Sequence, residues 1–336
     1  MVATIAPPFD FTHRNRVLRT SRRRRAQGHR VRTAKRVDAT VRFVTDRILT
    51  DDVVGTFTIG GDLTVRRLGF GAMRISGARD SDGVRDRSTA RLLIRRVVER
   101  GVNFIDTANI YGYGESEEII AEALHPYPDD LVITTKAGYL PGKIQRGHIT
   151  LPAKGDPAHI REECEKSLRR LRVDTIDLYQ VHAPDPFVPY DETIGAFVEL
   201  QQAGKIRHIG ISNVTAEQLA FAQRHCTVAT VQNRYNAGDR ASDAVIAACE
   251  TDRIGFMPWA PILLHSRRVR AVASDVATAH GATLQQVALQ WLLHRSPNIL
   301  PIPGTSDVAH ADDNIDSAWV TLIPDELHRI DEAAGG

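Results

Sequence analysis

The chain has 336 residues, 42% of them hydrophobic and 25% charged, with a formal net charge of +2. That length admits one large barrel or two ordinary domains, and the composition is that of a folded globular protein. No apolar run approaches the ~20 residues a membrane helix needs, and Cys164, Cys226 and Cys249 are too scattered for a zinc site or an even disulfide set, which points to a reducing cytoplasm.

The small net charge hides an asymmetry. Residues 1–50 hold 13 of the 43 Lys and Arg and 3 of the 41 Asp and Glu, a balance of +10; the rest holds 30 and 38, a balance of −8. The basic stretch has little apolar periodicity, so it reads as a disordered arm, with the boundary expected after residue 52. Residues 14–36 are the one candidate for nucleic-acid contact. They lack interleaved aromatics, and the body carries no nucleic-acid motif. A targeting peptide is a second reading. An appendage without a role, including an upstream start, is the favoured one.

From Thr56 the pattern changes. Two short β-rich runs flank Gly60-Gly61-Asp62, a hairpin signal. Strand-like and helix-like segments then alternate. Strands are expected at 68–71, 103–106, 131–136, 175–182, 208–212, 228–232, 254–259 and 299–303, each followed by helical spacing. Strict alternation implies a parallel sheet, and eight repeats over this length match a closed (β/α)8 TIM barrel spanning 53–336, with an N-terminal β-hairpin. A doubly wound sheet is the alternative. Its dinucleotide fingerprint is absent, since Gly112-Tyr-Gly-Glu-Ser-Glu117 lacks the third glycine.

In a barrel the chemistry gathers at the C-terminal strand ends. Those ends carry Asp106, Lys136 and His182, and Tyr111 stands in the loop after the second strand. Taken singly, Lys136 is a solvated charge and His182 a satisfied loop histidine. Together at one rim they form a constellation, and Asp106 is the natural partner of a buried lysine. An ammonium near Tyr111 would lower its phenol pKa and suit it to donate a proton to a carbonyl oxygen. Asp106 would hold Lys136, and His182 would hydrogen-bond the oxygen. The scheme needs no nucleophile and no metal, so the reductant would be a cofactor.

Six pieces, in order, resemble the aldo-keto reductase superfamily over about residues 56–332: Gly101-Val-Asn-Phe-Ile-Asp-Thr-Ala-Asn-Ile-Tyr-Gly112, Thr134-Thr-Lys-Ala-Gly138, Asp177-Leu-Tyr-Gln-Val-His182, Ile206-Arg-His-Ile-Gly-Ile-Ser-Asn213, Val231-Gln-Asn-Arg-Tyr-Asn236 and Pro301-Ile-Pro-Gly-Thr-Ser306. The resemblance implies a catalytic tetrad of Asp106, Tyr111, Lys136 and His182, and reduction of a small carbonyl substrate by NADPH, with NADH as an alternative. It implies Ser212, Asn213 and Gln232 at the nicotinamide carboxamide and Trp259 against its ring. Gly304, Thr305, Ser306, His310, Asp313 and Asn314 would hold the adenosine end. Many relatives carry Lys where Gly304 stands and Arg where His310 stands. Arg267 and Arg268, in place of a glycine-rich loop, are the expected substitutes for that charge. Trp291-Leu-Leu-His-Arg-Ser-Pro-Asn-Ile-Leu300 and the Gly304-Thr-Ser306 loop resemble a bacterial branch with pyridoxal reductase-like proteins. Loop 139–158 is the expected flexible wall of an open pocket. A regulatory subunit that binds NADPH with little turnover, as in channel-associated members, is the alternative function.

Overall fold

The computed structural model describes residues 47–77, 86–145 and 148–335. The arm up to residue 46, including the candidate segment 14–36, lies outside the described residues. Two strands, β1 (Thr56–Ile59) and β2 (Leu63–Arg66), pair antiparallel as the expected hairpin. The parallel strands are β3 (Phe70–Gly71), β4 (Phe104–Asp106), β5 (Val132–Ala137), β8 (Ile176–Val181), β9 (Ile206–Ser212), β10 (Val228–Gln232) and β11 (Gly255–Phe256). They form one sheet in the order β11-β10-β9-β8-β5-β4-β3.

Both edges of this sheet meet the same segment, residues 299–303. Leu300 N donates to Phe256 O at 2.8 Å on one side, while Gly69 N and Gly71 N donate to Pro301 O and Pro303 O at 2.9 and 3.3 Å on the other. The architecture fits an α/β barrel with one irregular stave. The sequence reading expected an eighth regular strand there. Pro301 and Pro303 have no N–H to give to a ladder, so on the β3 side they accept hydrogen bonds without forming a regular strand.

The helices are α1 (Asp51–Val54), α2 (Arg87–Glu99), α3 (Glu115–Leu124), α4 (Pro157–Leu171), α5 (Tyr190–Gln202), α6 (Ala216–Gln223), α7 (Asp243–Asp252), α8 (Arg267–Ala279), α9 (Leu284–Arg295), α10 (Val308–Asp316) and α11 (Pro324–Ala333). Their starts follow local chemistry. Thr215 and Thr283 close capping boxes with Gln218 and Gln286, and Asp156 caps α4 ahead of Pro157. The hairpin plugs the N-terminal end of the barrel. Ile59, Leu63 and Val65 pack there with Phe104, Val132, Leu178, Ala229, Leu300 and Ile302.

Two segments differ from the sequence reading. Within loop 139–158, strands β6 (Lys143–Gln145) and β7 (His148–Thr150) pair antiparallel, so part of the expected flexible wall is a hairpin. Ahead of residue 53, Leu49 is fully buried and its N–H donates to Arg100 O at 2.8 Å. The packed body therefore already includes residues 47–52.

Candidate active site

The sheet register gathers the polar strand ends. Asp106 lies opposite Thr134, Lys136 opposite Gln180, and Gln180 opposite Gly210. The side chains of Asp106, Thr134, Lys136 and Gln180 are buried, so each needs a partner. Lys136 Nζ donates to Asp106 Oδ2 at 2.7 Å and to Thr107 O at 2.8 Å. The other carboxylate oxygen, Asp106 Oδ1, accepts from Gln232 Nε2 at 2.9 Å and Gln180 Nε2 at 3.3 Å. Gly210 makes this possible. A Cβ there would lie 2.5 Å from Thr230 Oγ1 and 2.6 Å from Gln180 Cγ, so a side chain would displace the glutamine from under the carboxylate.

Tyr111 sits above this pair. The chain turns after it through positive φ at Gly112, Tyr113 and Gly114. The Tyr111 ring ends with its centroid 5.2 Å from Lys136 Nζ, while Tyr113 stays 67% exposed. His182 closes the group, edge-on to Tyr111 at 5.9 Å and to Tyr139 at 4.6 Å. All four residues of the expected constellation are thus brought together.

The electrostatics differ from the sequence reading in one respect. A lowered Tyr111 phenol was expected. Burial raises it instead, and the negative charge of Asp106 adds to the rise. Lys136 is itself pulled below its ordinary value by burial, against which Asp106 acts. His182 is held well below the usual imidazole value by burial and by Lys136, so it is neutral near pH 7. Its Nδ1 has no hydrogen-bond partner among the described residues.

Beside this group, Ser212 Oγ donates to Gln232 O at 2.6 Å, and Asn213 Nδ2 donates to His182 O at 2.9 Å and Ser212 Oγ at 3.1 Å. Trp259 Nε1 donates to Asn213 Oδ1 at 3.0 Å. The four expected nicotinamide residues therefore form one bonded cluster, with Asn213 held at φ 59. The sequence reading did not see that Gln232 also holds Asp106.

The expected adenosine residues run from the loop before α10 (Gly304, Thr305, Ser306) along the helix to Asp313 and Asn314. Thr305 and Asn314 are buried, Gly304 and Ser306 half-buried, and His310 and Asp313 exposed. Thr305 Oγ1 accepts from Asp307 N at 3.0 Å, and Asp307 Oδ1 caps the helix by accepting from His310 N at 3.0 Å. Gly304 passes so close to the barrel wall that a Cβ would lie 2.5 Å from Gly71 O. The missing lysine is thus excluded by packing. Arg267 and Arg268 are both exposed at the first turn of α8. The polar cluster of Ser212, Asn213, Gln232 and Trp259 offers the amide and hydroxyl groups that a carboxamide would pair with.

Three further residues belong to the site and were not singled out from sequence: Gln180, Tyr139 and Glu117. Glu117 is fully buried, accepting from Thr135 Oγ1 at 2.6 Å and from Arg170 Nη1 at 2.9 Å. A buried glutamine between Tyr179 and Val181 in β8, as Gln180 is, was the available signal. Among the described residues no group of three or more His, Cys, Asp or Glu is placed to hold a metal ion, and no helix is long and apolar enough to cross a membrane.

Residues 67–334 match the aldo/keto reductase family. The chain is 41% identical over 282 residues to pyridoxine 4-dehydrogenase of Escherichia coli, covering 82% of this chain and 97% of that protein. It is 37% identical over 279 residues to an uncharacterized oxidoreductase of Schizosaccharomyces pombe, covering 83% and 89%. Among solved structures it is similar to the thermostable aldo-keto reductase Tm1743, with a TM-score of 0.72, 28% identity and coverage of 83% and 99%. It is also similar to an aldo-keto reductase from Klebsiella pneumoniae in complex with NADPH, with a TM-score of 0.70, 26% identity and coverage of 82% and 94%.

Proposed function

Since the chain belongs to the aldo/keto reductase family, we propose that it is an NADPH-dependent carbonyl reductase that converts a small aldehyde to its alcohol, with Tyr111 as proton donor. The observation that carries this reading is the buried Lys136–Asp106 pair, 2.7 Å apart, beneath the Tyr111 ring. The relative named pyridoxine 4-dehydrogenase makes pyridoxal the first aldehyde to test, and the relative solved with NADPH supports that coenzyme.

The reduced nicotinamide, when bound, supplies the hydride. Ser212, Asn213 and Gln232 would hold its carboxamide, Trp259 its ring, and Thr305, Ser306 and Asn314 the adenosine end. The chain's own task is the proton. Tyr111 donates it to the carbonyl oxygen as negative charge develops there. Burial and Asp106 keep the phenol protonated until that moment. The Lys136 ammonium beneath the ring then stabilises the phenolate. Asp106, Gln180 and Gln232 fix where that ammonium sits. His182, held neutral, offers one hydrogen bond to the carbonyl oxygen and does not compete as an acid.

The test is steady-state oxidation of NADPH across a panel of aldehydes that includes pyridoxal. Turnover of at least one small aldehyde supports the reading. Tight NADPH binding with no turnover across the panel would replace it with the regulatory-subunit alternative.

A further inference from the structure

Helix α10 carries His310, Asp313 and Asn314, the residues assigned above to the adenosine end. Its opposite contacts are unusual. Asp312 and Asp316 stand one turn apart and both face Arg100, whose side chain is 1% exposed. Arg100 Nη1 donates to Asp312 Oδ1 at 2.5 Å, and Nη2 donates to Asp316 Oδ1 at 2.6 Å. Its remaining edge, Nε, donates to the backbone carbonyl of Arg47 at 2.7 Å. Arg96 also bonds Asp312, with Nε at 3.0 Å from Oδ1. The next residues along the N-terminal segment are locked in turn. Leu49 is buried, its N–H bonded to Arg100 O, and the Arg47 guanidinium lies 5.6 Å from the ring centre of Trp319, just past α10.

We propose that Arg100 is a positioning residue for coenzyme binding, acting through Asp312 and Asp316 to fix the rotation and depth of α10. The inference rests on the coenzyme reading above. Two carboxylates at i and i+4 on one helix face repel each other. They are tolerated there because one planar guanidinium bridges them, each nitrogen with its own acceptor. Buried ionic groups of this kind add little to stability over apolar packing, but they specify one arrangement against its neighbours. A helix turned away from Arg100 would leave an uncompensated buried cation. The arrangement they specify sets Asn314, between the two aspartates, and the capped loop from Gly304 to Asp307. Arg100 itself is sealed from any bound coenzyme, so its effect falls on the adenosine moiety common to NADPH and NADH.

The test uses Arg100→Met in the full chain, which keeps the aliphatic stem and removes the fork. The expected result is a rise of about tenfold in the Kd of both NADPH and NADH, measured by titration calorimetry. The ratio of the two should be unchanged, and kcat at saturating NADPH should stay within about twofold, so the loss appears in KM for coenzyme. Asp316→Asn, which leaves Arg100 paired to Asp312, should move both Kd values the same way by a smaller factor. It carries the test if Arg100→Met does not fold. Coenzyme Kd values within about twofold of wild type in a folded variant would overturn the proposal. So would a loss confined to NADPH, which would make Arg100 a phosphate contact. A wild-type chain that binds neither coenzyme would overturn the underlying reading and this inference with it.

Discussion

Lys136 and Asp106 are bonded at 2.7 Å with side chains 0% and 3% exposed, and they are not equally served by their surroundings. The carboxylate keeps two amide donors, from Gln232 and Gln180, if the lysine is removed. Among the described residues the ammonium's remaining hydrogen bond, if the carboxylate is removed, is to the neutral Thr107 carbonyl. Breaking a buried pair from one side costs about 3–5 kcal/mol, and the cost should fall more heavily where the orphan is worse solvated. Asp106→Leu should therefore lower Tm more than Lys136→Met, while both abolish most activity. Thermal melts giving the reverse order would show that the glutamines do not support the carboxylate as their distances suggest.

Tyr111→Phe should lower kcat by about 10²–10⁴-fold, the usual contribution of a positioned general acid. The pH profile tests the direction of the phenol shift. With the phenol above its ordinary value of about 10, the acid form persists through alkaline solution. Carbonyl reduction should then show no deprotonation limb between about pH 7 and 9.5. A limb near pH 8 that vanishes in Tyr111→Phe would mean that the Lys136 charge outweighs burial and Asp106.

His182 is held neutral in the fold, well below its ordinary value. Below about pH 6.5 the unfolded chain takes up a proton that the folded chain refuses, so stability falls with falling pH. The slope for one such group approaches about 1.4 kcal/mol per pH unit between the unfolded value and the lower folded one. His159 shifts the same way, also mainly through burial, and contributes to the same window. Replacing His182 with Gln should flatten the dependence of unfolding free energy on pH in that window. An unchanged slope would show that His182 is charged or solvated in the folded chain.

Coenzyme preference can be altered at His310 on α10 and not at Gly304 in the loop before it. His310 is exposed, with its side chain 74% accessible and only a 4.0 Å approach to Asp307. His310→Arg should raise the preference for NADPH over NADH, since a charge-assisted bond to phosphate contributes about 1.5–3 kcal/mol. Gly304→Lys should instead destabilise the protein by about 1–3 kcal/mol, because its Cβ meets a backbone carbonyl. Ratios of kcat/KM for the two coenzymes, measured beside Tm, separate these outcomes. A well-folded Gly304→Lys with a gain in NADPH preference would refute the packing argument. If a strong preference in the parent chain survives Arg267→Ala/Arg268→Ala, those two arginines are not the source of phosphate charge.

Much of this site was legible because strand ends mark it. Asp106, Lys136 and His182 each stand at the C-terminal end of a strand-like segment, and in a parallel barrel such ends converge by topology alone. What was not legible depends on contacts across the sheet. Gln232 reaches Asp106 across 126 positions of sequence, and no local pattern announces that bond. Tyr139 reads as one more aromatic near a strand end until its ring is found against His182. The phenol shift was misjudged because a lysine beside a tyrosine is a pairwise statement, whereas desolvation and the third charge, Asp106, are properties of the assembled site.

The N-terminal boundary was placed at residue 52 because basic residues dominate the composition up to there. Composition averages over Leu49, and Leu49 is fully buried among α2 and its neighbours. Gly101 permits the approach, since a Cβ there would lie 2.3 Å from Leu49 O. Deleting a buried leucine side chain costs about 2–5 kcal/mol, and losing residues 47–51 also leaves Arg100 Nε without its acceptor. A chain starting at Asp52 should therefore melt roughly 5 °C or more below one starting at Arg47. Leu49→Ala in the full chain should reproduce most of that loss without removing any backbone. Both shortened chains lack residues 1–46, so the comparison isolates the short packed segment from the basic arm. If the two melt together, Leu49 contributes nothing and the domain begins where the charge pattern first placed it. If the chain starting at Arg47 also matches the full chain in melting and kcat/KM, the arm is dispensable for both. Retention on heparin by the full chain alone at ~0.15 M salt would then assign the arm an anionic partner.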